Sequence, residues 1–144
     1  MNKKLKLEEL NRLSESQFEK SNKWDVVVVL DNIRSLNNIG SIFRTCDAFR
    51  VSQICLCGIT AKPPHREMEK TALGATNSVK WQYFETTQLC AEFLRRKGYV
   101  IACLEQTEDS ILLQDFEVDN KGLLAVVLGN EVDGVCQEVI DFSD

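Results

Sequence analysis

Four short runs of apolar residues are spaced along the chain, and each is nearly continuous rather than alternating with polar residues. The runs are VVVVL (26–30), QICLCGI (53–59), YVIAC (99–103) and LLAVVL (123–128). Strands that are covered on both faces have this pattern, because neither side of the strand meets water. A fifth strand is predicted within residues 78–84, where Val79, Trp81 and Tyr83 alternate with other residues.

Helical periodicity lies between these runs. It covers residues 38–50, 65–74 and 86–97, and a further helix is predicted over residues 5–18 from leucines and Phe18 near helical spacing. The segment LRRKG (94–98) places cations and then glycine at the end of one helix, which is a C-terminal signal. Alternating strands and helices predict an α/β fold, with a mostly parallel sheet flanked by helices on both faces.

The helix that follows the first strand is amphipathic. Its apolar stripe consists of Ile39, Ile42, Phe43, Cys46 and Phe49, and its polar face of Asn37, Asn38, Ser41, Arg44 and Thr45. We expect Asn37 or Asn38 to cap the helix. Gly40 in the first turn indicates close approach of another segment to the backbone. Periodicity alone assigns Arg44 to an ordinary solvated face.

Ligands bind at the carboxyl ends of strands in such sheets, and the loop LGNEVDG (128–134) lies at one of these ends. Gly129 and Gly134 permit a tight turn, and Asn130, Glu131 and Asp133 supply acceptors. An ordinary turn into a last helix is an equally good interpretation of this loop alone. The chain has no phosphate-binding P-loop, no dinucleotide fingerprint and no nucleophile elbow.

Composition indicates a globular protein of 144 residues, long enough for one domain with a core, with 44% hydrophobic and 27% charged residues. The chain has no apolar run of about 20 residues and no signal-peptide pattern, so we expect a cytoplasmic protein without a membrane anchor. The net charge of −5 disfavours broad, non-specific binding to nucleic acid, but it permits a local basic patch.

The cysteines are better explained by packing than by chemistry. Six are present without any C-x-x-C pair, and His65 is the single histidine, so no metal site is expected. Cys55 and Cys57 lie two apart in an apolar run and share one strand face. We expect buried thiols that act as small hydrophobic side chains.

Two segments together carry a family resemblance. Asn38-x-Gly40-x-x-x-Arg44, combined with Leu128-Gly129-Asn130-Glu131-x-x-Gly134, resembles the first two of three motifs of the SpoU-type RNA ribose 2′-O-methyltransferases in the SPOUT superfamily. The resemblance extends from about Val26 to the C-terminus, and EKTALGA (69–75) also fits.

This resemblance implies a fold, a reaction and an assembly. The fold is a SPOUT-type domain with a C-terminal trefoil knot in the complete family member, and the assembly is a homodimer with active sites at the interface. The reaction is methylation of a ribose 2′-OH in structured RNA with S-adenosylmethionine (AdoMet) as cofactor. The absence of an appended RNA-binding domain favours tRNA over rRNA.

The resemblance also implies residue roles. Arg44 is expected to be catalytic, Asn38 to help place substrate groups, and Glu131 to hold the active site together. Cofactor contacts are expected at Leu104, Leu128, Gly129, Asn130 and Gly134. Because arginine stays protonated in proteins, we expect Arg44 to act by holding a phosphate and stabilising a developing alkoxide.

Other candidate contacts are less specific. Ser41, Lys62, His65 and Arg66 are expected to contact RNA, although a solvated loop over residues 61–67 is an equally good interpretation. Trp24 and Trp81 have the ring systems needed for base stacking, but packing in the core is the favoured interpretation.

The domain interpretation is one SPOUT-type domain over residues 1–144, with a short helical extension at residues 1–20. The chain stops at QEVIDFSD (137–144), where the family's third motif is expected to begin. We therefore expect a truncated or degenerate member with an incomplete knot. Two alternatives stay open at this point: a non-catalytic RNA-binding or dimerisation module, and a small nucleotide-binding regulator.

Overall fold

The computed structural model describes residues 2–118 and 122–144. Within them one sheet is formed by β1 (Trp24–Asp31), β2 (Val51–Cys57), β3 (Trp81–Phe84), β4 (Val100–Leu104) and β5 (Leu124–Leu128). All neighbouring strands are parallel, and their order is β3-β2-β1-β5-β4. The predicted parallel α/β sheet is therefore confirmed, with β2 two residues earlier and β3 shorter than predicted.

Helices cover both faces of this sheet. The described helices are α1 (Glu15–Lys20), α2 (Leu36–Ala48), α3 (Arg66–Ala72), α4 (Ala75–Ser78), α5 (Thr87–Arg96) and α6 (Gln137–Phe142). Helix α5 ends in Arg95 and Arg96, and Gly98 follows with a φ of 90°, as the LRRKG signal predicted.

Two core clusters explain why the strand sequences are continuously apolar. On one face, Val27, Val29, Cys55 and Cys57 pack with residues of α5 and α6. On the other face, Leu30, Ile54 and Leu56 pack with residues of α2 and α3. Successive side chains of a strand point to opposite faces, so residues in the middle of the central strands meet a covered surface on either side.

The prediction of buried thiols is confirmed for four cysteines, whereas Cys103 and Cys136 are half-buried. All six are free, and Cys46, Cys55, Cys57 and Cys90 are buried in the two clusters. Burial raises the pKa of the Cys46 thiol to about 12, which keeps it protonated and apolar in character.

The sheet order creates a switch point between β1 and β5. From β1 the chain moves outward through β2 to β3, and α5 then carries it across to β4 at the opposite edge, from which it returns to β5 beside β1. The segment after β1 leads toward β2, whereas α6, which follows β5, contacts β4. The two segments therefore leave neighbouring strands in opposite directions. Such a point opens a crevice at the carboxyl ends of the two strands.

Helix α2 differs from the sequence prediction at both ends. Ser35 is its N-cap and accepts a hydrogen bond from the Asn38 N–H at 3.2 Å, so the prediction that Asn37 or Asn38 caps the helix was wrong. Phe49 follows the last helical residue and is 69% exposed, so it leaves the apolar stripe. The predicted polar face is exposed or half-buried along its length.

The N-terminal segment does not form the single predicted helix. A 3₁₀ turn at Leu7–Leu10 ends at Asn11, whose φ of 47° is left-handed, and α1 begins only after Ser14. Ser14 and Gln17 form a reciprocal capping box that fixes this new start. Of the five apolar residues that suggested the helix, only Phe18 is buried.

The prediction that both tryptophans pack in the core was also wrong. Trp24 begins β1 and is 70% exposed, and Trp81 begins the edge strand β3 and is 37% exposed. Both stand at strand starts rather than in the buried middle of a strand. In the described part of the chain, no helix combines the length and apolarity that crossing a bilayer requires.

The contact between α2 and α3 depends on Gly40. A Cβ atom at this position would lie 2.2 Å from the Met68 carbonyl oxygen and 2.2 Å from Thr71 Oγ1. Gly40→Ala is expected to lower the free energy of unfolding by about 1–3 kcal/mol, because overpacking outweighs the better helix propensity of alanine. Chemical denaturation measures the difference.

The neighbouring exposed position supplies the control. Ser41→Ala is expected to change stability by less than about 0.5 kcal/mol. A Gly40→Ala protein as stable as the Ser41→Ala protein would show that α2 and α3 separate without cost.

Candidate active site at the carboxyl ends of β1 and β5

The loop after β5 folds into a closed turn. Asn130 and Gly134 exchange backbone hydrogen bonds of 2.9 and 3.0 Å, and Asn130 Oδ1 accepts from the N–H groups of Val132 and Asp133. Gly134 has a φ of 70°, and a Cβ atom on Gly129 would lie 2.2 Å from the Val135 nitrogen. Both glycines are therefore required by the turn itself.

Glu131 projects from this turn to the start of α2. Its Oε2 accepts the Arg34 N–H at 3.0 Å, and its Oε1 accepts the Ser35 N–H at 3.0 Å. The Asn38 side chain donates a third hydrogen bond through Nδ2 at 3.2 Å. One carboxylate thus joins the two motifs that carry the family resemblance, although Asn38 and Glu131 lie 93 positions apart.

These contacts keep Glu131 ionised. Partial desolvation raises the pKa of Glu131, but the hydrogen bonds from the Arg34 and Ser35 N–H groups, its own N–H and Asn38 outweigh it and bring the pKa to about 2. A carboxylate with so low a pKa is a poor proton acceptor near neutral pH. Its negative charge lies at the N-terminus of α2, where the helix dipole favours it.

Asn38 and Arg44 occupy the exposed face of α2. The bond to Glu131 fixes the Asn38 amide, so its Oδ1 is directed as an acceptor. Arg44 follows six residues later, about 9 Å along the helix axis, with Ser41 between them. Among residues 2–118 and 122–144, the exposed Arg44 guanidinium forms no hydrogen bond or ion pair, so it is available to an anionic group.

Sequence reasoning missed Asp31 and Asn32 at the end of β1. Asp31 is 1% exposed and accepts hydrogen bonds from Thr87 Oγ1, Asn32 Nδ2 and the Cys136 N–H. Asn32 is left-handed at a φ of 53°, and its carbonyl accepts from Asn130 Nδ2 at 2.6 Å. Their position directly after VVVVL was the available signal.

Glu105 was also missed. It follows β4 directly, and its Oε2 accepts the Val135 N–H at 2.9 Å. Hydrogen bonds from the Gln106 and Val135 N–H groups lower the pKa of Glu105. A Cβ atom on Gly134 would lie 2.1 Å from Glu105 Oε2, so the glycine makes room for this carboxylate.

The residues expected to bind AdoMet fall into two groups. Leu104 and Leu128 are paired at the ends of β4 and β5, and Leu104 is 66% exposed, which offers an apolar surface of the kind a nucleobase ring packs on. Gly129, Asn130 and Gly134 are held in the turn, where the chain's own atoms fill the space beside both glycines. The two leucines have the apolar character that a cofactor ring needs, and contact of this set with AdoMet stays a prediction.

The residues expected to contact RNA lie beside α2. Lys62 Nζ stands 4.2 Å from the centre of the Tyr83 ring, and Arg66 begins α3 and is exposed. His65 Nδ1 accepts the Glu67 N–H at 3.2 Å and so caps α3, which leaves its Nε2 side free to donate. Ser41 is exposed on the polar face of α2. Their contact with RNA stays a prediction.

Comparison with known proteins gives a consistent assignment. Residues 25–144 match the model of the SpoU rRNA Methylase family. The tRNA (guanosine(18)-2′-O)-methyltransferase of Aquifex aeolicus is 32% identical over 142 residues, covering 94% of this chain and 62% of that protein. A protein of the same name from Thermus thermophilus is 32% identical, covering 83% of this chain and 60% of its own length. The chain thus spans about three fifths of these relatives.

Solved structures share the fold. The A. aeolicus TrmH/SpoU tRNA modifying enzyme superposes with a TM-score of 0.74 at 24% identity, covering 88% of this chain and 63% of that one. The SpoU methyltransferase AviRb of Streptomyces viridochromogenes, solved with AdoMet, gives 0.73 at 21% identity, covering 87% and 50%. These structures show that the fold is shared, and the family model over residues 25–144 together with the relatives at 32% identity shows that the chain belongs to the SpoU rRNA methylase family.

Proposed function

We propose that this protein transfers the methyl group of AdoMet to a ribose 2′-OH in structured RNA, with tRNA favoured over rRNA. The observation that carries the proposal is the contact of Glu131 with Arg34, Ser35 and Asn38, which assembles the two motifs at the switch point of the sheet. The names of the relatives, tRNA (guanosine(18)-2′-O)-methyltransferases, support the choice of tRNA.

The reaction forms a bond between the ribose oxygen and a methyl carbon as the bond from that carbon to sulfur breaks. The hydroxyl proton passes to a solvent water, and the demethylated cofactor leaves as the neutral thioether S-adenosylhomocysteine. AdoMet, when bound, supplies this methyl group on a positively charged sulfur. Arg44 holds an RNA phosphate and stabilises the negative charge that develops on the ribose oxygen. Its guanidinium does this without proton exchange, because arginine remains protonated.

Asn38 and Glu131 have different roles in the proposed site, one toward the substrate and one in positioning. Asn38 presents its Oδ1 to the substrate because Glu131 holds its Nδ2. Glu131 is a positioning residue rather than a base, since its pKa of about 2 leaves it ionised and its oxygens already accept three N–H groups. Leu104 and Leu128 would hold the cofactor ring, with the turn Gly129–Gly134 beside it.

The proposal also covers the domain organisation, the cellular location, the assembly and the RNA contacts of the protein. It takes residues 1–144 as one SPOUT-type domain with a short N-terminal extension, acting in the cytoplasm as a homodimer whose complete form has a trefoil knot. Ser41, Lys62, His65 and Arg66 contact the RNA in this proposal. Its support is the family membership of residues 25–144 and the exposure of Ser41, Lys62, His65 and Arg66 beside α2.

Arg44→Ala is expected to reduce methyl transfer by about 100-fold or more, because it removes the charge that stabilises the developing alkoxide. AdoMet affinity is expected to stay nearly unchanged, since Arg44 lies on the polar face of α2, away from Leu104 and Leu128. Transfer of a labelled methyl group to unmodified RNA and calorimetry with AdoMet measure the two quantities.

Arg96→Ala is the matched control, because Arg96 is an exposed arginine on α5, on the other face of the sheet. Equal activity of the Arg44→Ala and Arg96→Ala proteins would exclude a catalytic role for Arg44. A parent protein that binds RNA but neither binds AdoMet nor transfers methyl would support the alternative of a non-catalytic RNA-binding module.

Glu131→Gln is expected to destabilise the protein in a pH-dependent way. The folded pKa of about 2 lies below the unfolded value of about 4.3, so the stabilisation is fully present above about pH 5 and is lost as the pH falls toward 2. At pH 7 we expect a loss of about 1 kcal/mol, allowing for solvent exposure. Urea unfolding at pH 7, 4 and 3 tests this.

Asp133→Asn, which neutralises an exposed acid in the same turn, is the control and is expected to have little effect at any of these pH values. If the difference between parent and Glu131→Gln proteins stays constant from pH 7 to pH 3, the hydrogen bonds to Glu131 do not depend on its charge.

A further inference from the structure

Two carboxylates hold consecutive backbone amides directly after the turn. Glu105 Oε2 accepts the Val135 N–H at 2.9 Å, and Asp31 Oδ2 accepts the Cys136 N–H at 2.7 Å. Asp31 ends β1 and Glu105 follows β4, and these strands flank β5 on its two sides. Residues 135 and 136, which follow the turn after β5, are thus each held by an acid from one of the strands beside β5.

Each carboxylate is itself anchored. Asp31 is 1% exposed, and its Oδ1 accepts from Thr87 Oγ1 and Asn32 Nδ2. Glu105 Oε1 accepts the Gln106 N–H at 2.9 Å. Within the part of the chain that the structure describes, neither acid forms an ion pair. Both carboxyl groups are therefore held by hydrogen-bond donors, and donors in fixed positions leave the acids little freedom to move.

The turn lies between β5 and these anchored residues. Its internal hydrogen bonds between Asn130 and Gly134 fix its shape, so its position depends on what holds its two ends. β5 fixes its beginning, and Asn130 Nδ2 donates to the Asn32 carbonyl. Beyond that, Glu131 makes the contacts to the start of α2. Where Glu131 stands therefore depends on where residues 135 and 136 are held.

We propose that Asp31 and Glu105 form a carboxylate clamp, a pair of positioning residues that fixes the Asn130–Gly134 turn so that Glu131 meets Arg34, Ser35 and Asn38. The absence of a side chain at Gly134 lets Glu105 reach the chain. The catalytic consequence of the clamp rests on the proposed function, but the positioning itself is measurable without RNA or AdoMet.

Cys136 offers a direct test of the Asp31 half of the clamp. Its φ of −62° matches proline, so Cys136→Pro deletes the N–H that Asp31 accepts with little change of backbone angle at this residue. Cys136→Ala is the matched control, because it loses the thiol but keeps the N–H. The readout is the ¹³C NMR titration of the Glu131 carboxyl group, with far-UV circular dichroism to confirm folding.

The clamp predicts different results for the two variants. Cys136→Ala is expected to keep the pKa of Glu131 at about 2. Cys136→Pro is expected to raise it by about one pH unit or more, the effect of losing one hydrogen bond to a charged group. Equal Glu131 titrations in two folded variants would overturn the proposal.

Glu105→Ala tests the Glu105 half of the clamp, and it does so without requiring the protein to fold with a proline at position 136. Removing a negative charge would by itself lower the pKa of Glu131, whereas release of the turn raises it, so the sign separates the two effects. Glu108→Ala, which removes an exposed acid from the same loop, is the control. A Glu105→Ala protein whose Glu131 titrates as in the control would overturn the clamp.

Thr87→Val separates positioning from general stability. It removes a donor to Asp31 from α5 but leaves the Asn32 and Cys136 contacts, which still hold the carboxylate in place. A lower melting temperature with an unchanged Glu131 titration is therefore expected. A rise of the Glu131 pKa equal to that of Cys136→Pro would overturn the specific role of the clamp. If the unmutated protein transfers no methyl group, the proposed function is refuted. The Glu131 titrations still test the clamp in that case, because they need neither RNA nor AdoMet.

Discussion

The hydrogen bonds between Glu131 and the first turn of α2 are the interaction on which the rest of the site depends. A single carboxylate takes two backbone N–H groups and one side-chain amide, and it thereby joins a loop near the end of the chain to a helix near its start. Because the carboxylate is ionised and lies at a helix N-terminus, both charge and geometry favour the contact. This bond fixes the orientation of the Asn38 side chain.

The contact exists because of the strand order. β5 returns beside β1 after the chain has visited both edges of the sheet, so the loop after β5 and the helix after β1 begin next to each other. Helix α2 can lie close to α3 because Gly40 has no side chain, and Thr71 Oγ1 donates to the Asn37 carbonyl across the same contact. The apolar stripe then faces the core, and the polar face that carries Arg44 meets solvent.

Much of the fold was predictable from sequence, because β-branched runs and helical periodicity report burial directly. The errors arose where local conformation breaks a pattern: Asn11 ends the first turn, and the predicted strand over residues 53–59 begins earlier, at Val51, directly after the left-handed Arg50. The family resemblance that pointed to Asn38 and Glu131 is confirmed, as is the fold. The structure places the two residues in contact, and their roles stay predictions. Asp31 and Glu105 were missed because each is a single acid at the end of a strand, and their partnership depends on which strands flank β5.

The carboxylates at this edge of the sheet also determine what its arginines can do. Asp31, Glu105 and Glu131 all accept backbone amides, and across residues 2–118 and 122–144 none of them pairs with a cation. Had these acids neutralised Arg34 or Arg44, the guanidinium groups would have lost their capacity to bind phosphate. Using acids to hold the backbone leaves positive charge exposed beside the site, in a chain whose net charge is −5. In the proposed function, these exposed guanidinium groups would favour RNA at this site, while the net negative charge disfavours indiscriminate binding elsewhere.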